Sequence, residues 1–195
     1  MRLKGVRVGF AMTGSHCCLE DVMPQVRSIT DEGAEVIPII SSVVSSTDTK
    51  FGPASKWKGM LKEITGREAI DTQVGAEPIG PQKILDVMVV APCTGNTLAK
   101  LANGITDTPV LMAVKAQLRN QRPVVLAIST NDGLSMNAKN LGLLLNAKNV
   151  YIVPFRQDNP SGKPNSIVAR WDFIAETILH ALQGKQVQPV LVAHG

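Results

Sequence analysis

The segment Val87-Met88-Val89-Val90-Ala91-Pro92-Cys93-Thr94-Gly95-Asn96-Thr97 joins a short apolar run to a turn of small polar residues. The run is too short for an ordinary helix and rich in β-branched residues, which predicts a strand covered on both faces. The strand is expected to break at Pro92, before a helix over Leu98 to Gly104. Such a turn offers backbone N–H groups, two threonine hydroxyls and an asparagine amide where open α/β folds bind ligands. The alternative is a plain strand-to-helix connection capped by Thr94 or Asn96.

Strand patterns and helix patterns alternate on both sides of this segment. Strands are predicted at 5–11, 35–40, 87–90, 123–128 and 150–153, and helices at 19–33, 53–64, 98–104, 107–119, 134–145 and 166–183. This alternation indicates a parallel sheet covered on both faces, with Pro38 placing the second strand at an edge because proline cannot donate to the ladder. We predict an α/β, flavodoxin-like three-layer sandwich with a parallel sheet in the order 2-1-3-4-5. Residues 43–85 are expected to be mostly loop, serving either as a flap over the site or as a subunit contact.

Length and composition restrict the class of protein. With 195 residues, 44% of them hydrophobic and 18% charged, the chain suits one globular domain over residues 1–195. No apolar run reaches the roughly 18 residues that span a bilayer, and the opening residues do not resemble a signal sequence, so we expect a cytoplasmic protein without a membrane partner. A net charge of +4 with 4% aromatic residues disfavours a nucleic-acid groove and suits an anionic small molecule.

The cysteines form no metal-binding pattern. Cys17, Cys18 and Cys93 are an odd number without metal-ligand spacing, and no HExxH or CxxC motif occurs. We therefore expect reduced thiols in the cytosol and no metal site. Cys17 and Cys18 are expected to be small packing residues at the start of a helix.

Polar turns follow four of the predicted strands. They contain Gly14-Ser15, Ser41-Ser42, Thr94 to Thr97, and Ser129-Thr130-Asn131. Because crossovers between parallel strands are right-handed, these turns are expected to converge on one rim of the sheet. The N–H groups at Gly14-Ser15 suit a phosphate at the start of a helix. Equally, Thr-Gly-Ser is good turn chemistry, and the paired serines can simply end a strand.

The same segments resemble the flavin-containing cysteine decarboxylase superfamily. The resemblance rests on Thr13-Gly14-Ser15, on Ala91 to Ile105 with its Ala-Lys-Leu-Ala-Asn-Gly-Ile tail, and on Ala127 to Asn131. It implies a flavodoxin-like fold, FMN as the cofactor, and a homo-oligomer, a trimer or larger, because family sites are shared between chains. It also implies Asn96 as the catalytic residue that faces the substrate, and as cofactor-binding residues Gly14, Ser15, Ser41, Cys93, Thr94, Thr97, Ser129, Thr130 and Asn131.

The chain also departs from the family pattern. The histidine base of the family's decarboxylases has no counterpart between Ser41 and Leu85, which argues against cysteine decarboxylation. The family's cysteine loop is replaced by Pro154 to Ser166, which we expect to be a loop over the site. Its cations Arg156 and Lys163 are candidate substrate-binding residues for carboxylates, although both also fit ordinary surface charges.

Three segments resemble more closely a subgroup of this superfamily that is found in spore-forming bacilli. They are Gly9 to Cys17, Ser129 to Leu134 and Arg156 to Ser166. The resemblance implies one subunit of an oxidoreductase in the mother-cell cytoplasm. Its partner subunit would bind NADP, and the complex would oxidise a cyclic dihydro-dicarboxylate to the dicarboxylate stored in spores. Two roles stay open: an enzyme subunit whose flavin pocket takes part in the oxidation, or a noncatalytic subunit that assembles with the dehydrogenase. A relative of the FMN-dependent decarboxylases or of the flavin prenyltransferases is a further alternative.

Overall fold

The structure is a computed structural model, which describes residues 1–193. Its strands are β1 (Arg7–Met12), β2 (Glu35–Ile40), β3 (Val87–Cys93), β4 (Val124–Thr130), β5 (Val150–Ile152), β6 (Phe155–Asn159) and β7 (Lys163–Ala169). Its helices are α1 (Leu19–Asp31), α2 (Ser42–Ser46), α3 (Ala54–Thr65), α4 (Gln73–Ala76), α5 (Ile79–Gln82), α6 (Gly95–Ala102), α7 (Pro109–Arg119), α8 (Ala138–Leu145) and α9 (Ile174–Leu182). Single 3-10 turns, His16–Cys18 and Trp171–Phe173, lead into α1 and α9.

Five strands form the parallel part of the sheet, in the order β2-β1-β3-β4-β5. This confirms the predicted flavodoxin-like α/β fold, with β2 at the edge. Successive residues of a strand point to opposite faces, so the sheet separates two hydrophobic clusters. Side chains of α1, α3 and α9 cover one face, and side chains of α4 to α8 cover the other. The carboxyl ends of β1, β3 and β4 therefore lie side by side between two packed layers.

A hairpin of β6 and β7 enlarges the sheet beyond the five predicted strands. The first half of β4 pairs with β5, whereas Ser129 and Thr130 at its end pair antiparallel with β7. The prediction of a loop over Pro154 to Ser166 and of a helix starting at Ser166 is therefore wrong, since α9 begins only at Ile174. Pairing with β4 overrides the local pattern, because strand propensity depends strongly on the neighbouring strand.

The predicted end of the central strand at Pro92 is also wrong. β3 continues through a cis Ala91–Pro92 bond to Cys93, and its register against β4 shifts between Val90 and Cys93. Every residue of β3 is buried. The polar turn is therefore shorter than expected, and Thr94 serves as the N-cap of α6 by accepting a hydrogen bond from the Thr97 amide.

The connection between β2 and β3 is more regular than predicted. It contains α2, α4 and α5 in addition to the expected α3. Ile70 bridges to Ile39 of β2, and α4 and α5 pack against α7. The interval thus contributes to both layers, with α2 and α3 on one face of the sheet and α4 and α5 on the other. No helix of residues 1–193 is both long and apolar enough to cross a bilayer.

Candidate functional site

Two cavities lie at the carboxyl ends of the parallel strands. The larger, of about 470 Å³, is bounded by the turns after β1, β3 and β4 and by β7 of the hairpin; its lining includes Gly14, Ser15, Cys17, Cys18, Asp21, Thr94, Gly95, Ser129, Thr130, Asn131, Asp158, Lys163, Ser166 and Trp171. The smaller, of about 250 Å³, lies between the turns after β1, β2 and β3; its lining includes Thr13, Gly14, Ser41, Ser42, Thr94, Asn96, Thr97 and Thr108. Gly14 and Thr94 line both cavities, so the predicted turns meet on one rim.

Thr13 connects the turn after β1 to the turn after β3. Its hydroxyl donates to the carbonyl oxygen of Pro92 at 2.7 Å, and the hydroxyl oxygen of Thr13 accepts from the backbone amide of Thr94 at 3.0 Å. The Thr94 hydroxyl in turn donates to the Thr97 hydroxyl at 3.0 Å. Because Thr13 is buried, these bonds fix the two turns relative to each other before any ligand arrives.

A second polar cluster joins the turn after β1 to the end of β4. The hydroxyls of Ser15 and Ser129 are 3.3 Å apart, and the Cys18 Sγ lies 3.2 Å from the Ser129 hydroxyl. Burial raises the pKa of Cys18, although hydrogen bonds from Ser129 and Ser15 oppose the shift. The cluster therefore offers hydroxyls and a protonated thiol to the larger cavity.

The turn after β4 is held by a side-chain network that sequence reasoning missed. The Thr130 hydroxyl donates to one oxygen of Asp132, and the other oxygen accepts from the Asn137 amide at 2.8 Å. Gly95 packs against these three side chains, and a Cβ atom there would collide with them. The only feature of the sequence that points to this network is the polar composition of the turn, and composition does not predict which side chains bond to each other.

The hairpin brings one predicted cation to the larger cavity and leaves the other beside it. Lys163 lines the cavity and pairs with Asp158 at 3.1 Å. Arg156 instead lines an adjacent groove that shares Asp21, Asp158, Val168 and Trp171 with the cavity. The Nε of Arg156 is buried and has no hydrogen-bond partner among residues 1–193. Lys163 is thus neutralised by a neighbour, whereas Arg156 is the cation with bonding capacity left.

Cys93 has a different setting from the other predicted cofactor-binding residues. Its side chain is fully buried in the core cluster on one face of the sheet and does not line either cavity. Burial raises its pKa to about 12. The thiol is therefore a packing group beneath the rim.

Two observations bear on whether the rim suits a bound flavin nucleotide. Both ring nitrogens of His16 are buried and lack a hydrogen-bond partner within the described part of the chain. A Cβ atom on Gly14 would lie 3.3 Å from Val43 and 3.7 Å from the His16 Nε2, so glycine keeps this part of the rim open. Buried polar atoms normally have a partner, which here a polar ligand or water would supply. The hydroxyls and amides of the two cavities are also suitable donors to phosphate, ribityl and ring oxygens.

Comparisons with known proteins agree with this architecture. The model of the Flavoprotein family matches residues 1–179. The B subunit of dipicolinate synthase of Bacillus subtilis (strain 168) is 54% identical over 190 residues, which are 97% of this chain and 95% of the relative. The crystal structure of the B subunit of dipicolinate synthase from Bacillus halodurans C has a TM-score of 0.92 and 50% identity, with 100% of both chains covered.

A more distant structure shares the fold alone. The FMN-dependent cysteine decarboxylase SpaF has a TM-score of 0.62 at 21% identity, and the match covers 92% of this chain and 96% of that chain. Together with the high identity to the two Bacillus proteins, these findings confirm the superfamily and the subgroup predicted from the sequence. This chain therefore belongs to the Flavoprotein family, with the B subunits of dipicolinate synthases among its homologues.

Proposed function

We propose that this chain is the flavin-binding subunit of a dipicolinate synthase, which oxidises dihydrodipicolinate to dipicolinate. Its partner would be the A subunit of dipicolinate synthase, which carries NADP. The observation that carries the proposal is the common rim, where Gly14 and Thr94 line both cavities. Likeness to the B subunit of such an enzyme over 97% of the chain supports the choice of reaction and partner. We place the complex in the mother-cell cytoplasm and expect a homo-oligomer of three or more copies of this chain.

The smaller cavity is the better candidate for the phosphate of FMN. No charged side chain lines it, and it presents the hydroxyls of Ser41, Ser42 and Thr97. The larger cavity contains the carboxylates of Asp21 and Asp158, which would repel a phosphate. We therefore assign the phosphate of FMN to the smaller cavity and the flavin ring of FMN to the larger cavity, whose volume is typical of a cofactor site.

Neutral side chains would orient the flavin and the substrate. The Ser166 hydroxyl lies 3.3 Å from the Asn131 Oδ1 and 3.4 Å from the Asp158 Oδ2, and the Asn131 amide N–H groups would donate to a ligand. Asn96, the predicted catalytic residue, lines the smaller cavity and not the larger one, so in this arrangement its amide would donate to the FMN phosphate and not to a substrate carboxylate. When bound, the flavin supplies the two-electron chemistry of the oxidation, and the chain supplies orientation and hydrogen bonds.

Arg156 is the best candidate to bind a carboxylate of the substrate. Its guanidinium retains bonding capacity next to the larger cavity, whereas Lys163 is already paired with Asp158. A guanidinium also matches a carboxylate with two parallel hydrogen bonds. One carboxylate of the substrate would thus pair locally with Arg156; because Glu20, Asp21, Asp158 and Asp172 also line the groove, the guanidinium itself, and not the field of the groove, has to supply the attraction.

Titration of the purified protein tests both halves of the proposal. FMN is titrated while flavin fluorescence is recorded, and dipicolinate is titrated separately by calorimetry. We expect saturable FMN binding that Ser129→Ala weakens by about threefold to tenfold, the value of one hydrogen bond. Ser161→Ala, in the exposed hairpin turn, is the matched control and should not change the affinity. Failure of FMN to bind would refute a flavin site in this chain, and failure of both ligands would leave only the role in assembly with the partner.

A noncatalytic role in assembly is the second candidate function. It is favoured by the absence of the family's histidine base between Ser41 and Leu85. This role predicts a colourless protein that copurifies with the NADP-binding partner and raises its turnover without bound flavin. A yellow complex whose flavin is reduced by dihydrodipicolinate would exclude it.

A further inference from the structure

Cys17 and Cys18 form an adjacent pair of thiols in the wall of the larger cavity. They lie in the 3-10 turn before α1, and their sulfur atoms are 3.7 Å apart. Cys17 is exposed, whereas Cys18 is only 9% exposed. Both line the cavity, so the pair is in contact with the space that the proposed function assigns to a ligand. Neither thiol has a role in that function.

The two thiols differ in the way that a redox pair requires. Cys17 is the sulfur that an external oxidant can reach. Cys18 is held behind it, with its Sγ 3.5 Å from the Ser15 hydroxyl and 3.2 Å from the Ser129 hydroxyl. Burial raises the pKa of Cys18, which disfavours its thiolate and therefore its direct reaction with an oxidant. Cys17 is therefore placed to react with the oxidant, and Cys18 is placed to form a disulfide with the oxidised Cys17.

We propose that Cys17 and Cys18 are a redox pair that a hydroperoxide oxidises to an intramolecular disulfide at the wall of the cavity. With hydrogen peroxide, the Cys17 thiol loses its proton and the thiolate attacks one peroxide oxygen. The O–O bond breaks, the leaving hydroxide takes up that proton to form water, and Cys17 sulfenic acid remains. The Cys18 sulfur then attacks the Cys17 sulfur, the S–O bond breaks, and a second water leaves with the Cys18 proton. The two sulfurs lose two electrons in total, and the peroxide gains them.

The disulfide would be readily reversible. Adjacent residues in a trans chain have Cα atoms about 3.8 Å apart, below the usual disulfide range of about 4.4–6.8 Å, and such a distorted bond is easily reduced. Its formation would also remove the Cys18 thiol from contact with Ser15 and Ser129. The turn is otherwise held by the Cys18 amide, which donates to the Ser15 carbonyl at 2.9 Å. Oxidation should therefore alter the part of the cavity where these two hydroxyls meet.

Alkylation of tryptic peptides measures the state of the pair directly. Cleavage at Arg7 and Arg27 leaves Cys17 and Cys18 on one peptide, 8–27, whereas Cys93 lies on the peptide 84–100 as an internal control. The full-length protein is treated with hydrogen peroxide, alkylated with iodoacetamide in denaturant so that the buried thiols react, digested and analysed by mass spectrometry. We expect the 8–27 peptide to lose both labels together and to regain both after dithiothreitol. The label on Cys93 should not change.

Single substitutions separate the two roles. In Cys18→Ser, the sulfenic acid on Cys17 should persist and be trapped by dimedone, whereas the wild type should give no adduct. In Cys17→Ser, the remaining thiol should resist peroxide. Peptides of the wild type that lose a single label, or disulfides between two chains in place of the internal bond, would overturn the proposal. These readouts do not depend on whether the chain binds flavin.

The effect of oxidation on ligand binding rests on the proposed function. If FMN occupies the cavity, the oxidised wild type should bind it about threefold to tenfold more weakly than the reduced protein, the value of one hydrogen bond, because the disulfide displaces the Ser15 and Ser129 hydroxyls that the Cys18 thiol contacts. Cys17→Ser should bind FMN equally before and after peroxide. A disulfide that forms in a chain without FMN affinity would refute the flavin site alone. FMN binding without a disulfide would refute the redox pair alone.

Discussion

Ser166 of the hairpin donates a hydrogen bond to the Asn131 Oδ1 at 3.3 Å, across the antiparallel pairing of β4 and β7. Asn131 is one of the residues that the sequence assigned to the cofactor, and Ser166 is buried. The same hydroxyl also lies 3.4 Å from the Asp158 Oδ2, so Ser166 links the Asn131 amide to the hairpin and makes the hairpin part of the proposed flavin site.

We expect Ser166→Ala to lower FMN affinity by about threefold to tenfold and the free energy of unfolding by about 1 kcal/mol, the usual value of one hydrogen bond. Fluorescence titration and urea denaturation measure the two effects. Ser161→Ala, exposed in the turn of the same hairpin, is the control that should change neither. An unchanged FMN affinity in Ser166→Ala would show that the hairpin does not orient Asn131.

The sequence was sufficient to predict the parallel sheet and the rim. Each parallel strand is a short apolar run followed by a helix pattern, and right-handed crossovers then fix the edge at which the polar turns meet. Gly14, Ser41, Asn96 and Asn131 could thus be assigned to one rim without knowledge of any contact. Local pattern and topology were sufficient to predict the sheet because buried parallel strands are continuous hydrophobic runs in the sequence.

The hairpin was not predictable by the same reasoning. The apolar residues Ile167, Trp171, Ile174 and Ile178 recur at a spacing that also suits a helix, so local pattern does not separate the end of the hairpin from the start of α9. What selects a strand is the unpaired second half of β4, a partner that lies about 35 residues earlier in the chain. The contribution of Asp158 and Trp171 to the cavity follows from this hairpin and could not be inferred from local pattern.

A substitution at Gly95 tests whether the start of α6 has to lie in close contact with the turn after β4. A Cβ atom there would lie 2.7 Å from the Asp132 carboxylate and 2.8 Å from the Asn137 amide. We expect Gly95→Ala to lower the free energy of unfolding by about 1–3 kcal/mol, the usual cost of overpacking, and to weaken FMN binding. Gly59→Ala is the matched control, because Gly59 is exposed in α3 with open space around it. That control should stabilise the protein by up to about 1 kcal/mol through helix propensity. Equal effects of the two substitutions would contradict the close approach.

Asp86, at the opposite end of β3 from the site, should make stability depend on acidic pH. The Arg7 guanidinium donates to its carboxylate at 2.6 Å and Arg122 lies 3.2 Å away, so hydrogen bonding to Arg7 holds the pKa of Asp86 below the usual 3.8. Because the folded-state pKa is depressed, this stabilisation is complete above the unfolded-state pKa of about 3.9 and is lost as pH falls through the folded-state value.

Urea midpoints measured from pH 7 down to pH 2 check this dependence. We expect Asp86→Asn to be less stable than the wild type at pH 7 and the difference to shrink below about pH 4. FMN affinity at pH 7 should be unchanged, because Asp86 is remote from the rim. Asp31→Asn, exposed at the end of α1, is the charge-matched control. A constant difference across the pH range would mean that the loss at Asp86 is one of packing and not of charge.

Arg156 provides the most direct test of the substrate assignment. Its guanidinium Nε is buried without a partner among the described residues, whereas the neighbouring Arg170 in the same groove is paired with Asp172 at 2.8 Å. A free guanidinium can form charge-assisted hydrogen bonds to a carboxylate at little cost, but a paired one must first lose its partner. We therefore expect Arg156→Gln to weaken dipicolinate binding by about tenfold or more, as expected for a charged hydrogen bond, with FMN affinity unchanged. Arg170→Gln removes the same charge from the same groove and should leave dipicolinate affinity within about twofold. Similar losses from the two substitutions, measured by calorimetry, would mean that Arg156 has no specific contact with the dicarboxylate beyond the loss of one positive charge in an acidic groove.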